Sequence, residues 1–145
     1  MNFDTSMIVG VIGAGAMGSG IAQVAATAGH PVIIFDTNAA ALERSKTALA
    51  STLDKLVTKG KLADASIITS KITYTSTLAD FATTGLVIEA IVENLAVKKS
   101  VFADLEAIVS EDCILASNTS SLSITSIAAA CKLAHRVIGI HFFNP

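Results

Sequence analysis

"MIVGVIGAGAMGSGIAQVAATAGHPVIIFD" occupies residues 7–36, and its succession of apolar run, glycine cluster, small-residue segment and second apolar run decides the fold. No Asp, Glu, Lys or Arg lies between Thr5 and Phe35, but six glycines and a proline interrupt the stretch, which makes a poor membrane span. A strand, a tight turn and a helix closed by Gly29 account for the hydrophobicity better. Gly13, Gly15 and Gly18 fall in the spacing G-x-G-x-x-G directly after the strand. Gly13 permits the turn, Gly15 lets backbone approach a pyrophosphate, and Gly18 lets helix and strand pack closely. The helix N-terminus then offers amide donors to the phosphates. Asp36 follows 18 residues after Gly18, at the end of the second run, where a carboxylate accepts hydrogen bonds from ribose hydroxyls and repels a 2'-phosphate. The nearest arginine is Arg44, inside the next helix, so the pattern favours NAD over NADP. Another adenosine-containing ligand, such as S-adenosylmethionine, is the alternative for the same loop.

Beyond this stretch the alternation continues. Apolar runs at 72–74, 86–91, 113–117 and 136–140 are separated by segments of helical period, the pattern of a mainly parallel sheet with helices on both faces. Six strands are expected. One amphipathic helix is expected from Asn38 to about Lys59, with Leu42, Leu49, Leu53 and Leu56 on its inner face. Another is expected from about Val97 to Val109, burying Val101, Leu105 and Ile108. Ser121 or Ser123 is a ready N-cap for a third helix, begun by Ile124 and Ile127.

The 145 residues suit one domain, and a formal charge of -2 gives no basic field for nucleic acid or an anionic membrane. Cys113 and Cys131 are isolated thiols without metal-ligand spacing, and the N-terminus lacks the basic region of a secretory signal. A cytoplasmic protein with no metal is expected.

In an open sheet of this kind, ligands bind at the carboxyl ends of the strands. Three polar groups collect there: Glu93 and Lys98 after the fourth run, "SNTSS" (117–121) after the fifth, and His141 after the sixth. His141 is the natural general base, because imidazole titrates near neutrality. His30 is expected to cap a helix end, and His135 to precede a strand on the opposite edge of the sheet. The hydroxyls of "SNTSS" suit hydrogen bonds to a substrate oxygen; no G-x-S-x-G elbow supports a serine hydrolase. Glu93 and Lys98 read as a surface pair, and Lys55, Lys59 and Lys61 as a solvated helix face or as contacts for a large anionic substrate.

With "GVIGAGAMGSGIAQVAATAGHPVIIFD", "VIEAIVENLAVKKSVFADLE", "ASNTSSLSIT" and "GIHFFNP" all present, the chain resembles the NAD-binding domain of the 3-hydroxyacyl-CoA dehydrogenase family from end to end. The resemblance implies a Rossmann-type doubly wound fold and the reversible oxidation of an L-3-hydroxyacyl-CoA to the 3-ketoacyl-CoA, with hydride passing to NAD. It assigns His141 as the base and Ser120 as hydrogen-bond partner of the reacting oxygen. Ala16 and Met17 join the three glycines and Asp36 around the cofactor, with Glu93, Lys98 and Asn118 at its nicotinamide end. Asn144, together with Ser120, Lys55 and Lys59, falls to the substrate. In this family a glutamate orienting the histidine, and a helical domain for substrate and homodimer contacts, follow the segment matched here. The 145 residues are therefore expected to bind NAD but to turn over poorly alone. "LDKLVTKGKLA" (53–63) leans toward the butyryl and adipyl types. A non-catalytic NAD-binding module, or an enzyme of hydroxy acids without CoA, are the rival expectations.

Overall fold

The computed structural model describes residues 3–144. Six strands, β1 (Val9–Ile12), β2 (Val32–Phe35), β3 (Ile72–Thr75), β4 (Leu86–Glu89), β5 (Ile114–Ser117) and β6 (Val137–Gly139), form one all-parallel sheet in the order β3-β2-β1-β4-β5-β6. This is the doubly wound order of a Rossmann fold. The strands match the six apolar runs, trimmed where the runs overshoot into turns: β1 starts at Val9 rather than at residue 7.

The helices are α1 (Ala16–Thr27), α2 (Ala39–Thr58), the single turn α3 (Ser66–Thr69), α4 (Leu95–Ile108) and the short α5 (Ile124–Ala128). α1, α2 and α3 cover one face of the sheet and α4 and α5 the other, so two apolar layers form. Alternation along β1 divides its residues between them: Val9 and Val11 join Ile21, Ile34 and Leu53, while Ile12 joins Phe81, Phe102 and Leu115. A Cβ on Gly10 would come within 2.6 Å of the Phe81 ring, so glycine there lets that wholly buried ring lie against the strand. Phe81 meets Phe35 edge-on, with centroids 6.2 Å apart.

α2 starts at the expected place because the Asn38 side chain accepts hydrogen bonds from the amides of Ala40 and Ala41. Its inner face is Leu42, Ser45, Leu49 and Leu53, with Leu56 half-buried. α1 ends in a Gly29 at φ +103°, with the His30 amide bonded to Ala25 O. The His30 ring does not cap the helix as expected, because its Nδ1 lies 3.0 Å from Met7 O.

α4 departs from the expected face. Its buried stripe is Lys98, Phe102 and Leu105, continued by Val109 beyond the helix, whereas Val101 and Ile108 are only half-buried. The stripe begins at a lysine, and apolar periodicity cannot register a charged residue as part of a core. Ser123, not Ser121, caps α5, accepting from the Ser126 amide. His135 and His141 flank the same strand, β6, so the length of that strand and not the width of the sheet separates them. No helix among the described residues is long and apolar enough to cross a membrane.

Candidate active site

The sheet order reverses between β1 and β4, and a crevice opens there above the carboxyl ends of the strands. The three glycines of the turn meet three different constraints. Gly13 sits at φ +105°, and a Cβ there would lie 2.7 Å from Ala90 O. A Cβ on Gly18 would lie 1.8 Å from Gly13 O, so α1 docks on the turn only without one. Gly15 has ordinary dihedrals and nothing within 4 Å of its Cβ position: it faces open space. It is also the N-cap of α1, with no side-chain cap, so the amides of the first turn are left to an external acceptor. A pyrophosphate fits this cradle. Asp36 is fixed beside it, accepting from the Ala14 amide at 3.0 Å and from the Asn38 amide at 2.9 Å. Phe35, Thr37, Val97 and Val101 complete an apolar slot next to the carboxylate.

On the other side of the turn, a second cleft is lined by Met17, Glu93, Lys98, Asn118, Ser120, His141 and Asn144. The three strand-end groups therefore meet as expected, and Met17 of the glycine turn joins them. Lys55 and Lys59 do not line it; Lys55 stands exposed on the last turn of α2 and Lys59 at its C-cap.

Beneath this cleft lies a network that the sequence reading missed. Glu89, the last residue of β4, is wholly buried, as are Lys98 and Ser117. Ser117 Oγ donates to Glu89 Oε1 at 2.5 Å; the Ile91 amide and Lys98 Nζ donate to Oε2 at 2.9 and 2.5 Å. Lys98 Nζ also reaches Ile91 O at 3.4 Å and Glu93 Oε1 at 3.2 Å. Lys98 is thus no surface residue: its main partner is the buried Glu89, and Glu93 is the second. A buried carboxylate carries a large desolvation cost unless it is paired and fully hydrogen-bonded, and Glu89 is both. The available signal was Glu89 itself, a lone acid inside the apolar run "LVIEAI", which at such a position demands a cation.

The network reaches the reacting groups. Glu93 Oε2 accepts from Thr119 Oγ1 at 2.5 Å and from Ser121 Oγ at 2.8 Å, and the Thr119 bond chiefly holds the Glu93 carboxyl below its usual range. Ser120, between these two anchored residues, makes no hydrogen bond among the described residues and faces the cleft. His141 is presented in the same way. Its neighbours are tied down by Ile140 N to Ser117 O at 3.0 Å and Phe142 N to Asn118 Oδ1 at 2.8 Å, while its own ring packs edge-on to Phe143. Two adjoining clefts share Ala90 and Ile91: one presents a hydroxyl and an imidazole on fixed backbone, and the other holds Gly13, Gly15 and the Asp36 carboxylate.

Residues 8–145 match the sequence profile of the 3-hydroxyacyl-CoA dehydrogenase NAD-binding domain. The chain belongs to the 3-hydroxyacyl-CoA dehydrogenase family. It is similar to a probable 3-hydroxybutyryl-CoA dehydrogenase of Deinococcus radiodurans, 49% identical over 96% of this chain and 50% of the relative. A 3-hydroxybutyryl-CoA dehydrogenase of Mycobacterium tuberculosis is 43% identical over 98% of this chain and 51% of its own length. The crystal structure of 3-hydroxybutyryl-CoA dehydrogenase from Escherichia coli K12 superimposes with a TM-score of 0.95 at 42% identity, over 99% of this chain and 30% of that one. The chain thus spans about half the length of the first two relatives. It is an NAD-binding domain of this oxidoreductase family, and the phosphate cradle, the pinned Asp36 and the apolar slot fit that cofactor.

Proposed function

We propose that the domain serves the reversible oxidation of an L-3-hydroxyacyl-CoA to its 3-ketoacyl-CoA, with His141 as general base and Ser120 as hydrogen-bond donor to the reacting oxygen. NAD, when bound, accepts the hydride from C3 of the substrate. Asp36 holds the adenosine ribose; Gly13, Gly15, Ala16, Met17 and Gly18 form the pyrophosphate turn; Glu93, Lys98 and Asn118 flank the nicotinamide end. His141 takes the hydroxyl proton from O3 as the carbonyl forms, and Ser120 donates to that oxygen. The observation that carries this reading is that two unengaged reactive side chains, each between anchored neighbours, line one cleft at the end of the crevice remote from Asp36.

Support for a CoA substrate comes from the relatives' names and from α2. A groove between α1 and α2 runs from Gly15 past Ser45 and Ala48 to Thr52, and Lys55 and Lys59 stand one and two turns further on, placed for the phosphates of a long ligand. Asn144, lining the reacting cleft, is assigned to the acyl end. No carboxylate among the described residues hydrogen-bonds His141. Because the relatives are about twice as long as this chain, we assign the orienting acid, the acyl pocket and a homodimer contact to a second, helical domain, and because both thiols are free we assign the working enzyme to the cytoplasm. The test is NADH formation by the full-length protein with 3-hydroxybutyryl-CoA and with free 3-hydroxybutyrate. Turnover of the thioester alone is expected; equal use of the free acid would overturn the CoA assignment, and NADH binding with no turnover of either would favour a non-catalytic module.

A further inference from the structure

The ionised groups at the reacting end do not cancel. Glu89 and Lys98 neutralise one another out of water, and Glu93, held on the same ammonium at 3.2 Å, leaves the cluster with one net negative charge. Lys98 carries one positive charge and cannot compensate both acids, although it contacts Glu89, Ile91 O and Glu93. Nor is the surplus charge free to swing away, because Thr119 and Ser121 fasten the second Glu93 oxygen. Glu93 and Lys98 both line the cleft, and His141 is its other titratable residue.

Asp36, Gly13 and Gly15 line one cleft and the cluster lines the adjoining one, so a dinucleotide with its ribose on Asp36 and its pyrophosphate on the glycine turn directs its nicotinamide ring to this cluster. The oxidised ring carries a formal positive charge and the reduced ring none. We propose that the Glu89–Lys98–Glu93 cluster sets the preference between the two redox forms, attracting NAD+ relative to NADH by its single uncompensated charge. This rests on the placement of the nicotinamide given above. By linkage, the same preference makes bound NADH a stronger hydride donor than it would be over a neutral floor.

The measurement is the dissociation constant of NAD+ and of NADH, each titrated separately by calorimetry, for the full-length protein and its Glu93→Gln and Glu89→Gln variants. Both substitutions keep the shape and remove one negative charge, leaving the cluster neutral. A charge a few ångströms from the ring at a partly solvated site is worth roughly three- to tenfold in affinity. The ratio Kd(NAD+)/Kd(NADH) should therefore rise by about that factor, and less at high salt, while NADH binding stays nearly constant. A ratio unchanged in variants that still bind both forms, or a parallel loss of both affinities, would overturn the proposal and leave the cofactor assignment standing. If Glu89→Gln does not fold, Glu93→Gln decides alone, since that side chain is 48% exposed. Failure of the unmodified protein to bind either nucleotide would remove the placement itself.

Discussion

Gly15→Ala separates the fold from the cofactor site. In the structure Gly15 has φ -73° and ψ -172°, dihedrals alanine adopts freely, and no atom lies within 4 Å of the position its methyl would take. As an N-cap, glycine is better than alanine by up to about 1 kcal/mol. The stiffer unfolded chain of alanine offsets this by ~0.4–1 kcal/mol. The two effects nearly cancel, so stability should change by less than about 1 kcal/mol in urea unfolding. Binding should not be spared. The methyl projects into the open cradle before the uncapped amides of α1, and holding a phosphate off one or two charge-assisted hydrogen bonds forfeits ~1.5–3 kcal/mol each. A loss near 3 kcal/mol is on the order of a hundredfold in Kd. Gly18→Ala is the contrasting control, since its Cβ would lie 1.8 Å from Gly13 O and must force α1 off the turn, costing several kcal/mol of stability (roughly 2–4). Fluorescence titration with NADH, alongside unfolding curves, gives both quantities. A Gly15→Ala protein that binds NADH within about threefold of the parent would refute the assignment of this cradle to the pyrophosphate.

Lys98→Met should destabilise the protein by about 3–5 kcal/mol by leaving Glu89 buried and unpaired, and adding Glu89→Gln should restore part of that loss, as a double-mutant cycle in urea would show. Asn118→Ala removes the acceptor of the Phe142 amide, so hydrogen exchange at Phe142 should accelerate and stability fall by ~1 kcal/mol. The Glu93 carboxyl, held down chiefly by the Thr119 hydroxyl, should titrate by NMR below its ordinary 4.5. Because the folded value is depressed, the stabilisation is complete above 4.5 and disappears as pH falls through the lowered value; Thr119→Val should move the midpoint back up. Phe102→Ala, at a side chain with no exposed surface, should cost about 3–5 kcal/mol.

The glycine turn, Asp36 and the six strands were legible because each is specified locally, by spacing or by a short apolar run between breakers. His141, Ser120 and Asn118 were legible as strand-end residues, since parallel topology brings all such ends to one edge. Glu89 and Ser117 were hidden for the opposite reason. They occupy the buried ends of β4 and β5, and their partnership is made across the sheet, where sequence distance carries no information. Lys98 shows the same limit on a helix: a charge that heads a buried stripe shifts the inferred inner face of α4 from Phe102 to Val101. The choice between Ser121 and Ser123 as cap turned on Glu93, which engages Ser121 from another element.

If Ser120 and His141 face the nicotinamide end and move the substrate's proton, the decisive comparison is hydride transfer from 3-hydroxybutyryl-CoA to NAD by the full-length protein and by His141→Gln, with the NADH dissociation constant measured for both. General-base loss predicts a fall in kcat of roughly a hundred- to ten-thousandfold, with NADH affinity kept within about twofold. A variant that retains a tenth or more of the parent rate, or one whose loss of rate follows loss of NADH binding, would contradict the assignment.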